Sequence, residues 1–394
     1  DLMAGKKPAE KLKRKRNRYM RKTIPAIFMR GGTSKGVFFH EADLPDDPEQ
    51  RDQVILEVLG SPDPYQRQLN GMGGGISSLS KAMIVTASDR SDADVDYTFA
   101  QVSVTEESVG YAGNCGNLSS AIGPFAVEEG LIKVPDGETT LRLYNTNTDK
   151  IIQSKFHVRD SLPVESGDFE IAGVAGTGAE IALDYLDPGG AITGQLIPTG
   201  KMVDTFDISG FGTMEASVVD STACGVFAWA HSFGLTGTES PDEIEAKPDV
   251  MAGLEELRVK AAVLAGVANR VEDVPQSAPK VSIVAKPADF KALDGTHVDG
   301  DKADILIRIV SMQRVHRATT MTGAMCLASA CKIEGTIPYM AARHASEDIV
   351  IGHSSGLLPV ASDVESIDGK WNVIANRAFR TARRLMEGRV ALPT

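Results

Sequence analysis

Cysteine is scarce in this chain, with four residues among 394. Four thiols over this length do not make the disulfide framework of a small secreted domain, so a reducing, cytoplasmic compartment is expected. Cys326 and Cys331 stand five residues apart in an apolar stretch that predicts a helix, which places them on different helix faces. Because no histidine or further cysteine follows at ligand spacing, both are interpreted as small core residues, and no metal site is expected.

Long apolar runs are also missing. No run approaches the ~20 residues that a membrane-spanning helix needs, so no membrane association is expected. The first residues lack the apolar stretch of a secretory signal. Hydrophobic residues nevertheless make up 42% of the chain, which is typical of a folded protein, and the length indicates two or three domains.

Basic charge is in deficit over most of the chain. There are 41 Lys and Arg against 53 Asp and Glu, yet residues 1–22 hold ten basic and two acidic side chains. Residues 23–394 then carry 31 basic and 51 acidic side chains, a net charge of −20. A body this acidic argues against general nucleic-acid binding. Residues 1–22 are interpreted as a disordered basic tail or an added extension, and polyanion binding by this tail remains a non-catalytic alternative.

Signals of nucleotide binding and of hydrolase chemistry are absent or fail on context. No Gly-Lys-Ser or Gly-Lys-Thr occurs, which argues against a P-loop. The glycine-rich residues 71–76 end in Ile76 and precede a strand-like run, so they do not fit the dinucleotide fingerprint. Gly-His-Ser-Ser-Gly at 352–356 has the letters of a nucleophile elbow. A strand-like run follows it and no histidine follows Ser354, so a hairpin turn is favoured.

Two small-residue runs are the most informative elements. Residues 118–127 and 322–331 are apolar on every side, so each predicts a helix that is buried all round. Pro124 is expected to kink or interrupt the first helix. Strand-like runs surround both, without regular strand–helix alternation. The predicted fold class is therefore α+β, with two pseudo-symmetric domains, each a mixed or antiparallel sheet wrapped around a central apolar helix.

The domain boundary is predicted at the Pro-Gly-Gly sequence of residues 188–190. The first domain is expected to comprise residues 23–188 together with residues 378–394. The second is expected to comprise residues 189–377.

Three segments combine glycine, small hydroxyls and one reactive group: residues 30–35, 71–81 and 113–117. Glycine admits a ligand close to the backbone, and hydroxyls and N–H groups bind anionic oxygens. Cys115 stands near the start of an apolar helix, where the helix dipole lowers a thiol pKa; an inert buried thiol is an equal alternative. Together with the start of the second apolar helix, these segments give the candidate substrate-binding residues Arg30, Thr33, Ser34, Gly73, Gly74, Ser80, Asn114, Gly116, Asn117, Thr322 and Gly323.

The same segments resemble the PrpF family. The resemblance covers nearly the whole chain from Ile24 and rests on Met-Arg-Gly-Gly-Thr-Ser-Lys-Gly at 29–36, Gly-Ser-Pro-Asp-Pro at 60–64, Gly-Met-Gly-Gly at 71–74 with Ser-Lys at 80–81, Gly-Asn-Cys-Gly-Asn at 113–117, Leu-Ile-Pro-Thr-Gly at 196–200 and Thr-Ala-Arg-Arg-Leu-Met-Glu-Gly at 381–388. The family includes 2-methylaconitate cis-trans isomerase, methylitaconate and aconitate delta-isomerases and 4-oxalomesaconate tautomerase. Its fold is similar to that of diaminopimelate epimerase, with the site between two domains.

The resemblance implies a cofactor-independent isomerase. Such an enzyme moves a proton and a double bond, by allylic or cis-trans isomerisation, in a small unsaturated di- or tricarboxylate. Lys81 matches the family's proposed base and Cys115 matches its cysteine. Lys81 must be neutral to act as a base, and burial with a nearby Arg30 or Lys35 is expected to lower its pKa. The expected partner is a small polycarboxylate, and a homodimer or higher homo-oligomer is left open.

A cofactor-independent amino-acid epimerase or racemase is the competing enzyme hypothesis. It needs a second cysteine facing Cys115 at the start of the second apolar helix. Thr322 and Gly323 occupy that place, and Cys326 lies one turn further in. This arrangement argues against a two-thiol enzyme. The substrate itself stays open, since Gly-His-Ser-Ser-Gly at 352–356 replaces the family's Gly-His-Pro-Ser-Gly and residues 221–225 fit the family poorly.

Overall fold

The structure is a computed structural model that describes residues 22–343 and 348–393. The predicted basic tail, apart from Lys22, lies outside the described residues.

The described residues form seven α-helices. Asp47 caps the first helix by accepting a hydrogen bond from the N–H of Gln50, and Gly60 ends it with a φ of 78°. The helices are α1 Pro48–Leu59, α2 Gly116–Ser119, α3 Ile122–Glu128, α4 Pro241–Glu245, α5 Pro248–Leu264, α6 Met321–Lys332 and α7 Ile337–Ala341.

Strands make up most of the remaining regular structure. In chain order they are β1 Thr23–Gly31, β2 Ser34–His40, β3 Lys81–Ala87, β4 Val95–Val102, β5 Val109–Gly110, β6 Gly137–Asn145, β7 Lys150–Arg159, β8 Leu162–Pro163, β9 Phe169–Glu170, β10 Thr177–Gly178, β11 Ile181–Leu186, β12 Asp204–Ile208, β13 Gly212–Ser221, β14 Ala223–Trp229, β15 Lys280–Ala285, β16 Phe290–Lys291, β17 His297–Val298, β18 Ile305–Ser311, β19 Arg314–Val315, β20 Asp348–His353, β21 Gly356–Ile367, β22 Lys370–Arg380 and β23 Ala382–Ala391. Two short pairs, β9 with β10 and β16 with β17, stand apart from a connected sheet that contains the other nineteen strands of the described residues.

The sheet mixes parallel and antiparallel pairs around two buried helices. In the first half, β2 runs parallel to β3 and β3 antiparallel to β4, and these strands curve over α2 and α3. In the second half, β14 runs parallel to β15, and α6 packs against β13, β14, β20, β21 and β22. This arrangement confirms the predicted fold class.

The helix interiors are made of small residues because sheet surrounds them. Every residue from Met321 to Cys331 in α6 is buried. In the first half the helix is interrupted between Ser119 and Ile122, and Pro124 stands in the first turn of α3. Proline lacks the N–H that would continue the helical ladder, so an interruption just before it is the expected outcome.

Two strand pairings bear on the predicted domain boundary. The last strand, β23, pairs with β1, as expected for two parts of the first domain. β11 pairs with β22, which crosses the predicted boundary between residues 377 and 378, so one continuous sheet joins the two halves. The division of the chain into residues 23–188 with 378–394 and residues 189–377 stays a prediction. Residues 352–356 form the predicted hairpin turn, with His353 opposite Gly356 where β20 joins β21.

No helix within the described residues is both long and apolar enough to cross a membrane.

Replacing Phe125 by alanine is expected to lower the free energy of unfolding by about 3–5 kcal/mol. Phe125 is completely buried in α3, and its ring packs against Phe38 and His40 at centroid distances of 5.5 and 5.2 Å. Urea unfolding followed by circular dichroism measures the change. Tyr65→Ala is the control, since that ring is 84% exposed and its loss should cost less than about 0.5 kcal/mol. Equal losses in the two variants would contradict the central position of α3.

Candidate active site

Lys81 is a buried amine at the start of β3. It lies directly opposite Gln101 of β4, and its Nζ donates a hydrogen bond to Oε1 of Gln101 at 2.6 Å. The same nitrogen lies 4.9 Å from the centroid of the Phe99 ring. Lys81 is only 6% exposed, and this burial lowers its pKa, because desolvation penalises the charged form.

Cys115 lies beside this amine at the N-cap of α2. Its sulfur accepts a hydrogen bond from the N–H of Leu118 at 3.5 Å, and the residue is 7% exposed. Interaction with Cys115 raises the pKa of Lys81 and so partly opposes the effect of burial. The structure thus brings together the two residues expected to be catalytic, and their roles remain predictions.

Asn117 ties the loop after β1 to the end of β22. Its Oδ1 accepts hydrogen bonds from the N–H of Thr33 at 3.4 Å and from Nε of Arg380 at 3.0 Å. Its Nδ2 donates to the hydroxyl of Thr33 at 3.1 Å. Ser34, the next residue, is buried at the start of β2. This contact places Thr33 and Asn117 beside the guanidinium of Arg380.

The starts of α2 and α6 meet between the two halves. The hydroxyl of Thr322 donates to the carbonyl of Asn114 at 3.4 Å. At Gly116 a Cβ would lie 2.9 Å from the Cβ of Met321, so only glycine permits this approach. A Cβ on Gly323 would lie 2.4 Å from Oγ1 of Thr320. The residues predicted from the two apolar helices therefore converge where the starts of α2 and α6 meet, a place that we call the seam.

The two cations expected beside Lys81, Arg30 and Lys35, make other contacts. The Arg30 guanidinium donates to the carbonyl of Thr381 at 3.0 Å, and Glu165 is the carboxylate that raises its pKa against the lowering by burial. Lys35 lies over the ring of Phe28. The expectation that Arg30 or Lys35 lowers the pKa of Lys81 is therefore corrected, because burial supplies the lowering.

The glycine-rich loop is organised by Gln68. The Nε2 of Gln68 donates to the hydroxyl of Ser80 at 2.7 Å, and that hydroxyl donates to the carbonyl of Val102 at 3.0 Å. A Cβ on Gly73 would lie 2.2 Å from Oε1 of Gln68, and one on Gly74 would clash with a neighbouring leucine side chain. These contacts fix the loop that leads into Lys81. Substrate binding by Gly73, Gly74 and Ser80 stays a prediction.

Five residues at the seam were missed by sequence reasoning: Gln101, Lys280, His316, His353 and Arg380. Gln101 could be found only from strand register, since it lies twenty residues from Lys81 and faces it across β3 and β4. Arg380 directly precedes the motif at 381–388, so that motif could have drawn attention to it. His353 lies in the hairpin motif that had been set aside.

The lysines, the arginine and the histidines of this seam are buried or partly buried hydrogen-bond donors, and several of them shift one another's pKa values. Burial and the neighbouring Lys81 lower the pKa of Lys280 to about 7. Burial lowers the pKa of His316 to about 3, with further lowering from Lys81 and Lys280. Burial also lowers the pKa of Arg380 to about 10, and Arg380 in turn helps lower that of His353 to about 3. No carboxylate among the described residues contributes to these shifts.

Both histidines are held as neutral hydrogen-bond donors. Nδ1 of His316 accepts a hydrogen bond from the N–H of Ala318 at 3.1 Å. Nδ1 of His353 accepts one from the N–H of Ser355 at 3.1 Å. An accepting Nδ1 assigns the ring proton of a neutral imidazole to Nε2. The other nitrogen of each ring can therefore donate to an anion.

Two cavities open along this seam. One is lined in part by Thr33, Thr319, His353 and Arg380. The other is lined in part by Gln101, Asn114, Lys280 and Thr322. Nδ2 of Asn114, a residue that lines the second cavity, is buried and donates no hydrogen bond to a described residue. No cluster of three or more potential metal-ligating His, Cys, Asp or Glu side chains occurs in residues 22–343 and 348–393.

Comparison with known proteins decides the family. The family model described as PrpF protein matches residues 21–393. This chain belongs to the PrpF family. The predicted resemblance is therefore confirmed. Two relatives of this PrpF chain are 3-methylitaconate isomerase of Eubacterium barkeri, 41% identical over 93% of this chain and 96% of its own, and 2-methyl-aconitate isomerase of Cupriavidus necator, 38% identical over 94% and 97%.

Solved structures agree on the fold of this PrpF chain. A crystal structure of methylitaconate-delta-isomerase is 41% identical, covers 94% of this chain and 96% of its own, and superposes with a TM-score of 0.74. A hydroxyproline epimerase from Agrobacterium vitis superposes with a TM-score of 0.56 over 95% and 94% of the two chains. At 13% identity, the second comparison concerns the fold alone.

Lys280→Met is expected to flatten the pH dependence of stability of this PrpF chain. The unfolded chain keeps the proton on Lys280 up to its ordinary pKa of 10.5, whereas the folded chain loses it near pH 7. The unfolded state therefore binds more protons between these values, and wild-type stability rises with pH. Between pH 7 and 9 the wild-type gain should exceed that of the variant by on the order of 1–2 kcal/mol, after a discount for partial exposure.

Urea unfolding at several pH values measures this difference. Lys286→Met, at an exposed lysine just after the same strand, is the control and should retain the wild-type slope. A Lys280→Met variant with the wild-type slope would contradict the placement of an uncompensated amine at this seam.

Proposed function

We propose that this chain is an isomerase that moves a proton and a double bond in a small unsaturated di- or tricarboxylate, with no cofactor taking part. One observation carries the proposal. A buried lysine of lowered pKa contacts a cysteine in a seam whose other charged groups are cations without carboxylate partners among the described residues. Such a seam favours a substrate that brings several negative charges and gives up a proton.

Lys81 is the base in this mechanism. The neutral amine removes a proton allylic to the substrate's double bond, and the electron pair delocalises through the double bond into a carboxylate. The product of this step is a dienolate, and the Lys81 ammonium returns the proton at the other end of the allylic system. If the dienolate rotates about the former double bond and the proton then returns to its original carbon, the product is the cis-trans isomer instead. Atoms and electrons balance without an oxidant or reductant.

The cations of the seam hold the carboxylates. Arg380 lines one cavity together with Thr33 and His353, and Lys280 lines the other together with Asn114 and Thr322. The Lys280 amine donates hydrogen bonds to the carbonyl of Ser277 at 3.0 Å and to the hydroxyl of Ser311 at 3.2 Å, and no carboxylate among the described residues neutralises it. A substrate with two or more carboxylates suits this arrangement, because each end finds its own cation. The same groups, as hydrogen-bond donors, would stabilise the negative charge that develops on the enolate oxygen.

Burial lowers the pKa of Lys81, and the charge on this amine is also coupled to the charge on Lys280. The charge on either amine disfavours a charge on the other, so Lys280 and Lys81 compete for protons. A substrate carboxylate that binds Lys280 favours the charged form of that amine. The charged Lys280 then offsets part of the substrate's tendency to protonate Lys81.

The second enzyme hypothesis gains no support from the thiols. A two-thiol epimerase needs a cysteine opposite Cys115, yet Cys326 donates its S–H to the carbonyl of Val219 at 3.2 Å inside α6. Burial raises the pKa of Cys326 to about 12, which makes it a poor proton carrier. We therefore assign Cys115 to the neighbourhood of Lys81, where it can exchange a proton with the amine.

Lys81→Met is expected to lower kcat by at least a thousandfold, because the side chain that carries the proton is lost. Lys81→Arg should fail equally, since a guanidinium stays charged at neutral pH. The assay is proton NMR in deuterated water with 3-methylitaconate, 2-methylaconitate, aconitate and 4-oxalomesaconate as test acids.

Lys155→Met, at a half-exposed lysine of β7, is the control and should keep wild-type turnover. The assay detects both the isomerised product and deuterium incorporated at the allylic carbon. Near-normal turnover by Lys81→Met would remove the central assignment. If deuterium enters the α-carbon of an amino acid and enters none of the test acids, the epimerase hypothesis is favoured instead.

A further inference from the structure

The amide of Gln101 is fixed in one orientation. Gln101 is 2% exposed, and its Nε2 donates to the carbonyls of Ser80 at 2.9 Å and Ser77 at 3.2 Å. If the amide were turned over, its oxygen would face two carbonyl oxygens and its NH2 would face Lys81. The contacts between the oxygens would be repulsive and two hydrogen bonds would be lost, so Oε1 is the atom that faces Nζ.

A fixed acceptor constrains the nitrogen of Lys81. An amide oxygen can only accept, so Lys81 must always direct an N–H at Gln101. The negative face of the Phe99 ring, 4.9 Å from Nζ, likewise favours an N–H over a lone pair. A neutral amine has two N–H bonds and one lone pair. With both N–H directions taken, the lone pair points towards the remaining contact, on the side of Cys115.

We propose that Gln101 is a positioning residue that aims the lone pair of Lys81 at the proton to be removed. The inference rests on the proposed role of Lys81 as the base. The other titratable groups whose charges interact with Lys81 are Cys115, Lys280 and His316, and none of them replaces the contact with Gln101. Gln101 itself does not titrate, so it directs the amine at every pH.

Two substitutions separate the direction of the Lys81 lone pair from the charge on the Lys81 amine. Gln101→Met keeps the length of the side chain but offers no acceptor, so kcat should fall about 10–100-fold while KM changes less than about threefold. Gln101→Glu keeps the oxygen that accepts from Lys81, removes the N–H bonds to the carbonyls of Ser77 and Ser80, and adds a negative charge beside the amine. The ammonium form of Lys81 is then favoured, and the acid limb of the kcat profile should move up by at least about one pH unit.

A direct titration makes the test independent of turnover. Protein labelled with 13C at lysine Cε gives a resonance for Lys81 that disappears in Lys81→Arg, and its pH dependence is followed in each variant. The Glu variant should shift the titration upward, and the Met variant should shift it downward or leave it in place. If the wild type turns over none of the acids yet these shifts occur, the proposed function fails and the contact with Gln101 stands.

Gln68→Met is the matched control. Gln68 is also a buried glutamine, and it holds the loop before β3 through Ser61, Ser80 and Gly75 without touching Lys81. This variant should lose stability and leave the Lys81 titration unchanged. If Gln101→Met does not fold, Gln101→Glu carries the test. Wild-type titration in Gln101→Glu, or a loss in Gln101→Met that appears only as thermal instability, would overturn the proposal.

Discussion

An amine buried without a carboxylate partner is the constraint on which the site depends. Lys81 is enclosed by Gln101, Phe99 and Cys115, and none of these can neutralise a positive charge except by ionising the thiol. In ordinary protein interiors a buried lysine is paired with an acid, because an uncompensated ammonium is costly to desolvate. Here the cost appears as a lowered pKa, which is the property a lysine needs to act as a base.

The fold explains why Lys81 is enclosed. Two small-residue helices are each surrounded by sheet, so their starts can meet in a buried seam between the halves of the molecule. The close approach of Gly116 to Met321 is possible only without a side chain at residue 116. Lysines, an arginine and two neutral histidines then enter the seam from strands and strand ends. The net charge of −20 on residues 23–394 is thus compatible with a seam whose titratable nitrogen groups have no carboxylate partner in the described part of the chain.

Sequence reasoning predicted the parts that local pattern determines. The apolar character of residues 118–127 and 322–331 was enough to predict buried helices. The family motifs identified Lys81 and Cys115, which the structure brings together. Arg30 was misplaced as a neighbour of Lys81, because a basic residue in a glycine-rich loop gives no information on the direction of its side chain. Gln101 and Lys280 depend on strand register and on the meeting of distant segments, which no local pattern encodes.

Proton linkage to anion binding tests the central claim most directly. Isothermal titration calorimetry with propane-1,2,3-tricarboxylate, a saturated and unreactive acid, is run near pH 8 in buffers of different ionisation enthalpy. If the amines of the seam are held below their ordinary pKa because they are buried with no carboxylate partner, a bound carboxylate raises their pKa, and binding takes up protons from the buffer. The account predicts uptake of up to one proton in the wild type and much less in Lys280→Met. Binding heats that are identical in all buffers from pH 6 to 9 would contradict it.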